Sequence, residues 1–164
     1  MELDHRAFIL REEDQERQFT AYQLQHRNAA RELTGLPFDL PAVGAPYPRS
    51  SMAALEAAEW VKQHQPERFD AYDLALYEAF FRDTRDISDP EVLVDLAWQA
   101  GVRSEGLADA VRGQTLAETV WAQYWEALNR GVRSIPTVFI GERAISGAVP
   151  YEEYAQAAWE ALGR

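Results

Sequence analysis

The 164-residue chain has no cysteine. That rules out structural disulfides, thiolate metal sites and every thiol-based catalytic step carried by these residues alone. Long apolar runs are missing too. Nothing approaches the roughly 20 residues of a membrane-spanning helix, and the opening Met1-Glu2-Leu3-Asp4-His5 lacks the charged and apolar regions of a signal peptide. A soluble, cytoplasmic protein is expected. Positive charge is scarce: 16 Lys and Arg stand against 27 Asp and Glu, a net charge of −11. That balance argues against unaided binding to nucleic-acid phosphates or to an anionic membrane face, both of which need clustered cations.

Several motifs are absent as well. There is no phosphate-cradling glycine loop, no Gly-x-Ser-x-Gly elbow, no internal repeat and no low-complexity tract. His5, His26 and His64 lie far apart, and none has a carboxylate or a second His at ligand spacing. Surface or capping roles suit them better, and no metal or cofactor is expected. The acidic run Glu12-Glu13-Asp14 lacks the Gly-containing loop of a hard-cation site and suits the first turn of a helix.

What is present is a folded composition, 47% hydrophobic and 12% aromatic, on a length that suits one domain or one domain with a helical insertion. Residues Glu2 to Leu10 suit a strand. A helix is expected from about Gln15 to Leu33, stopped by Gly35. A proline-punctuated loop through Pro37, Pro41, Pro46 and Pro48 then leads into helices. The first starts at a Ser50 or Ser51 cap and runs to about Gln63. The second starts at Pro66 and carries Phe69, Tyr72, Leu76, Tyr77 and Phe80, a stripe read as core with an aromatic groove as the alternative. Ser88-Asp89-Pro90-Glu91 reads as a Ser88 cap, a first-turn Pro and a capping box, with the helix ending at Gly101. Short helices follow from Ser104 and after Gly113, the last stopping at Gly131.

The stretch Gly131-Val132-Arg133-Ser134-Ile135-Pro136-Thr137-Val138-Phe139-Ile140-Gly141 is the centre of the functional reading. Proline has no N–H for a ladder and fixes its own φ, so Pro136 belongs at the start of a strand. Thr137 to Ile140 would turn at Gly141-Glu142 into Arg143 to Ser146, and Gly147 and Pro150 would introduce an amphipathic helix from Tyr151 to Leu162. Read without any relative, Pro136 is a plain turn proline.

Ser-Ile-Pro-Thr-Val-Phe-Ile-Gly, then Ala-Ile-Ser-Gly-Ala-Val-Pro and a closing helix, resemble the end of the DsbA-like thioredoxin-fold oxidoreductases, in particular their cytoplasmic FrnE-like branch. The resemblance runs from Leu3 to Leu162 and implies an α/β, thioredoxin-like fold with a helical insertion, mostly helical by residue count. It implies one domain over 1–164, with residues 1–40 and 131–164 as the thioredoxin-like part and 50–130 as the insertion and return helix. It further implies that Pro136 is the family's cis-proline and that Ser134, Ile135 and Pro136 bind substrate, Ile135 offering its main chain to an extended polypeptide. The implied partner is a disulfide- or thiol-containing polypeptide or small thiol. Apart from the resemblance, aromatics such as Trp121, Trp125 and Tyr151 suit a homodimer face and core packing equally well.

The departure from the family lies at the beginning. The family's first strand, which is central in the sheet, and its Cys-x-x-Cys helix start would both precede Met1. Three explanations are open: Met1 is internal to a longer protein whose first roughly 30 residues carry that segment; a rearranged strand or second subunit fills the gap; or the chain is a degenerate relative that binds without catalysis. The first is preferred, since unpaired strand edges are otherwise left in the middle of a sheet. Two further readings stand beside the oxidoreductase. One is a non-catalytic peptide-binding module. The other is a relative of the glutathione-dependent isomerases and kappa-type transferases, disfavoured by Ser146-Gly147-Ala148-Val149-Pro150.

Overall fold

The computed structural model describes residues 3–163. In chain order these form β1 (Arg17–Gln18), α1 (Ala21–Thr34), β2 (Pro46–Tyr47), α2 (Met52–His64), a 3-10 turn (Pro66–Arg68), α3 (Phe69–Phe81), α4 (Pro90–Gln99), α5 (Leu107–Arg112), α6 (Ala117–Asn129), β3 (Thr137–Ile140), β4 (Arg143–Ser146) and α7 (Tyr151–Ala161). Two small antiparallel sheets result, β1–β2 and β3–β4. The chain forms two compact units, the first ending at Gln123 and the second beginning at Tyr124, with α6 running across the division.

In the first unit, α2, α3, α4 and α5 enclose one core. Ala57, Val61, Tyr72, Leu93, Ala97 and Leu107 have no measurable exposure there. Small residues on α2 let the helices approach closely, and Tyr72 satisfies its hydroxyl by donating to the Leu93 carbonyl at 3.3 Å. The α3 stripe is core at Phe69, Tyr72 and Leu76. Tyr77 is 58% exposed and does not belong to it, because it lies one position beyond Leu76, off the inward face.

Three expectations are corrected. Residues 3–10 carry no strand; Glu2 lies outside the described residues. The inward positions do alternate, His5 and Ala7 half-buried and Ile9 buried, but side chains hold the backbone where a ladder would. Ala7 N–H donates to Gln123 Oε1 at 2.7 Å, and Gln123 Nε2 donates to Glu59 Oε2 at 3.0 Å. Lys62 Nζ donates to the His5 carbonyl at 2.6 Å and pairs with Asp4.

The helix expected from Gln15 instead begins at Ala21. Thr20 caps it with a full capping box, its hydroxyl accepting from Gln23 N–H while the Gln23 side chain accepts from Thr20 N–H. Residues 11–14 are therefore not a helix start. Arg11 is instead tied to Ser51, each main-chain N–H being matched by an oxygen of the other residue.

Ser88 is not the cap of α4. Asp89 is, accepting from Glu91 N–H at 2.9 Å, with Pro90 in the first turn. The Asp89 carboxylate, one residue closer to Pro90, reaches the free Glu91 amide, and the Ser88 hydroxyl donates to Asp86.

Arg27 anchors α1. It is 5% exposed, stacks over Phe80 at 4.4 Å and Phe19 at 4.7 Å, and donates to the Phe80 carbonyl at 3.0 Å. Aromatic faces and main-chain oxygens thus stand where a carboxylate would usually be found.

Candidate functional site

The site lies within the second unit. α6 ends in a turn where Gly131 takes φ +85°, its N–H reaching the Leu128 carbonyl and Val132 N–H the Ala127 carbonyl, both at 3.0 Å. That left-handed position is cheap only for glycine, and it reverses the chain towards β3. Arg133 reinforces the reversal by donating to the carbonyls of Leu128 and Val132, both at 2.9 Å. Val132 is buried.

Ser134, Ile135 and Pro136 follow, all exposed, and they stand together immediately before β3. The Ile135–Pro136 peptide bond is cis. The Pro136 carbonyl accepts from Gly147 N–H at 2.8 Å. Thr137 Oγ1 donates to the Ser134 carbonyl at 2.7 Å and lies 3.1 Å from Ser146 Oγ. The loop is therefore tied to both ends of the hairpin. Ile135 is the exception: its side chain is 45% exposed, and among the described residues neither its N–H nor its carbonyl makes a hydrogen bond.

The hairpin register is Thr137↔Ser146, Val138↔Ile145, Phe139↔Ala144 and Ile140↔Arg143. Ile145 is buried, and α7 packs against β3. A salt bridge from Arg143 to Glu160 at 3.0 Å and a hydrogen bond from the Tyr154 hydroxyl to the Gly147 carbonyl at 3.3 Å fix α7 to the hairpin. Gly141, at φ +58°, makes the turn, and a Cβ there would stand 3.6 Å from Ala161. Arg130 lays its guanidinium 3.6 Å from the centre of the Phe139 ring, so one face of β3 carries a cation on an aromatic. β3 pairs with β4 alone, and its other edge has no strand beside it among the described residues.

The arrangement presents main-chain donors and acceptors, hydroxyls and one exposed apolar side chain. The hairpin was legible beforehand. The contributions of Gly147, Tyr154 and Arg130 were not, because each acts through a pairing that no local pattern reveals.

The sequence profile of the DSBA-like thioredoxin domain matches residues 3–158. The chain belongs to this DSBA-like family. A relative of unassigned function, YwbO of Bacillus subtilis (strain 168), is 24% identical over 127 residues, which are 77% of this chain and 62% of that protein. The DSBA-like chain thus spans less than two-thirds of that relative. Among solved structures, a candidate protein disulfide isomerase from Nitrosomonas europaea superposes with a TM-score of 0.73 at 17% identity, over 92% of this chain and 77% of that one. The cytosolic disulfide reductase DsbM of Pseudomonas aeruginosa gives 0.61 at 19% identity, over 87% and 72%. At such identities the likeness is one of fold. It agrees with a thioredoxin-like α/β architecture dominated by helices. No helix among the described residues is long and apolar enough to cross a membrane.

Proposed function

We propose that this DSBA-like chain is the polypeptide-docking part of a thiol–disulfide oxidoreductase, with Ser134, Ile135 and Pro136 as its contact residues. The single observation that carries the reading is the exposed Ile135, whose main chain has no partner among the described residues, beside a β3 edge that no strand among them covers. An extended segment laid there gains main-chain hydrogen bonds that the domain itself does not use, which is recognition by strand addition. Thiol- or disulfide-bearing polypeptides are the natural class of partner for this family.

Redox turnover needs a thiolate, and this sequence has none. In our reading a redox-active, longer form of the protein, of the cytoplasmic FrnE-like kind, carries the family's strand and Cys-x-x-Cys helix ahead of Met1. What supports this is that residues 3–10 keep an alternating inward face without any ladder. A non-catalytic peptide-binding module is the second reading, favoured by the absence of cysteine.

The test is a pair of assays on one protein. Calorimetric titration with an unfolded, cysteine-containing peptide should show saturable binding that Ile135→Pro weakens at least several-fold, since the variant loses both the free N–H and the exposed apolar side chain. Insulin reduction by the chain should stay at the uncatalysed rate, and should appear when the upstream segment is joined to it. Unchanged binding in the Pro variant would refute the docking site. Turnover by these residues alone would refute the division of labour.

A further inference from the structure

A cleft of about 180 Å³ opens in the first unit, and nothing in the family reading uses it. At one wall stands Glu56 of α2, 2% exposed. Leu116 N–H donates to its Oε2 at 3.2 Å, and no other hydrogen bond reaches this carboxyl among the described residues. Its second oxygen has no hydrogen-bond partner among the described residues, and Glu56 is one of the residues that line the cleft. A buried carboxyl served by one neutral amide is costly, so the group has a use for a further partner.

The surroundings choose the chemistry of that partner. Glu12, Asp14 and Arg49 supply the other charges of the lining. Arg49 is committed to Asp14 at 2.5 Å, which leaves the cleft with an excess of negative charge. Ser50, Ser88 and Gln114 add polar rims, while Met52, Ala53 and Val111 add an apolar wall. Gln114 sits at φ +52°, a conformation that non-glycine residues adopt rarely and mostly where the surroundings hold them. An anion would face the carboxylates. A metal ion lacks its cage, since no group of His, Cys, Asp and Glu among the described residues could hold one. A compact cation on a short hydrocarbon stem meets both the carboxyl and the apolar wall.

We propose that this cleft binds a small primary amine, its ammonium donating to Glu56 and its methylenes lying against Met52, Ala53 and Val111. The contact is a charge-assisted hydrogen bond out of water, where such bonds are strongest. Asp14 at the mouth, by holding Arg49 aside, keeps the approach open to a cation.

The experiment is an NMR titration of the isotope-labelled chain with 1,4-diaminobutane, with 1,4-butanediol as a neutral probe of the same length. Saturable shifts are expected at the amides of Ser50, Glu56 and Gln114 with the diamine and none with the diol. Glu56→Gln, which keeps an acceptor for Leu116 N–H, should weaken binding at least tenfold. Asp14→Asn, at an exposed position, should weaken it several-fold by releasing Arg49 towards the cleft. Nα-acetyl-lysine amide, carrying the same ammonium, should bind more weakly than the diamine. No saturable shift with the diamine, equal response to the diol, equal affinity in both variants, or preference for the lysine derivative would each overturn the assignment.

Discussion

Glu56 is buried on α2, and burial pushes its carboxyl above the ordinary range, the Leu116 N–H pulling weakly the other way. The folded chain therefore holds this proton more tightly than the unfolded chain. Stability from this group is fully present below the unfolded value and declines as pH rises through that value to the raised folded one. Glu56→Gln should accordingly match the parent in acid and exceed it in urea midpoint at neutral pH, the gap widening between the two; parallel pH curves would contradict this. Asp73 acts in the same direction, raised by burial and opposed by His5 at 3.6 Å. Arg27 is the counterpart among cations. Arg27→Met keeps the stem but loses the stacking on Phe80 and Phe19 and the donation to two carbonyls. A loss of about 2–3 kcal/mol is expected by chemical denaturation. No sequence pattern announces either residue: a Glu among alanines and an Arg after a His look like surface positions until distant rings and amides close over them.

At the scale of elements, what could be read ahead was what is written locally. The α3 stripe, the helix stop at Gly35, the proline-led start of α4 and the β3–β4 hairpin each rest on a spacing or a turn residue within a few positions. The start of α1 was equally local, in Thr20 and Gln23, and was missed because the acidic run before it offered a rival helix start. Thr20→Ala should cost about 1 kcal/mol, read as a lower thermal midpoint with helical signal lost from α1. Residues 3–10 failed for a different reason. Alternation of His5, Ala7 and Ile9 is a strand's pattern, yet a strand is defined by its partner, and Gln123 and Lys62 make the hydrogen bonds from outside any sheet. Gln123→Ala should free that segment, with the Ala7 amide exchanging its hydrogen at least tenfold faster in NMR.

At the scale of the molecule, the family, the fold class and the helical weight were legible because the motif around Pro136 and the succession of short helices extend along nearly the whole chain. The chemistry was legible only as an absence, since a cysteine-free sequence excludes thiol catalysis whatever the fold. The net charge of −11 bears on the partner as well: a basic polypeptide should bind faster than an acidic one of equal length, and the difference should shrink as salt is raised. The decisive measurement maps an unfolded, cysteine-containing peptide onto the isotope-labelled chain by NMR. The account predicts saturable shifts centred on the amides of Ser134, Ile135 and Thr137 to Ile140, with affinity at least several-fold weaker in Ile135→Pro. Shifts centred elsewhere, or none at all, would contradict it.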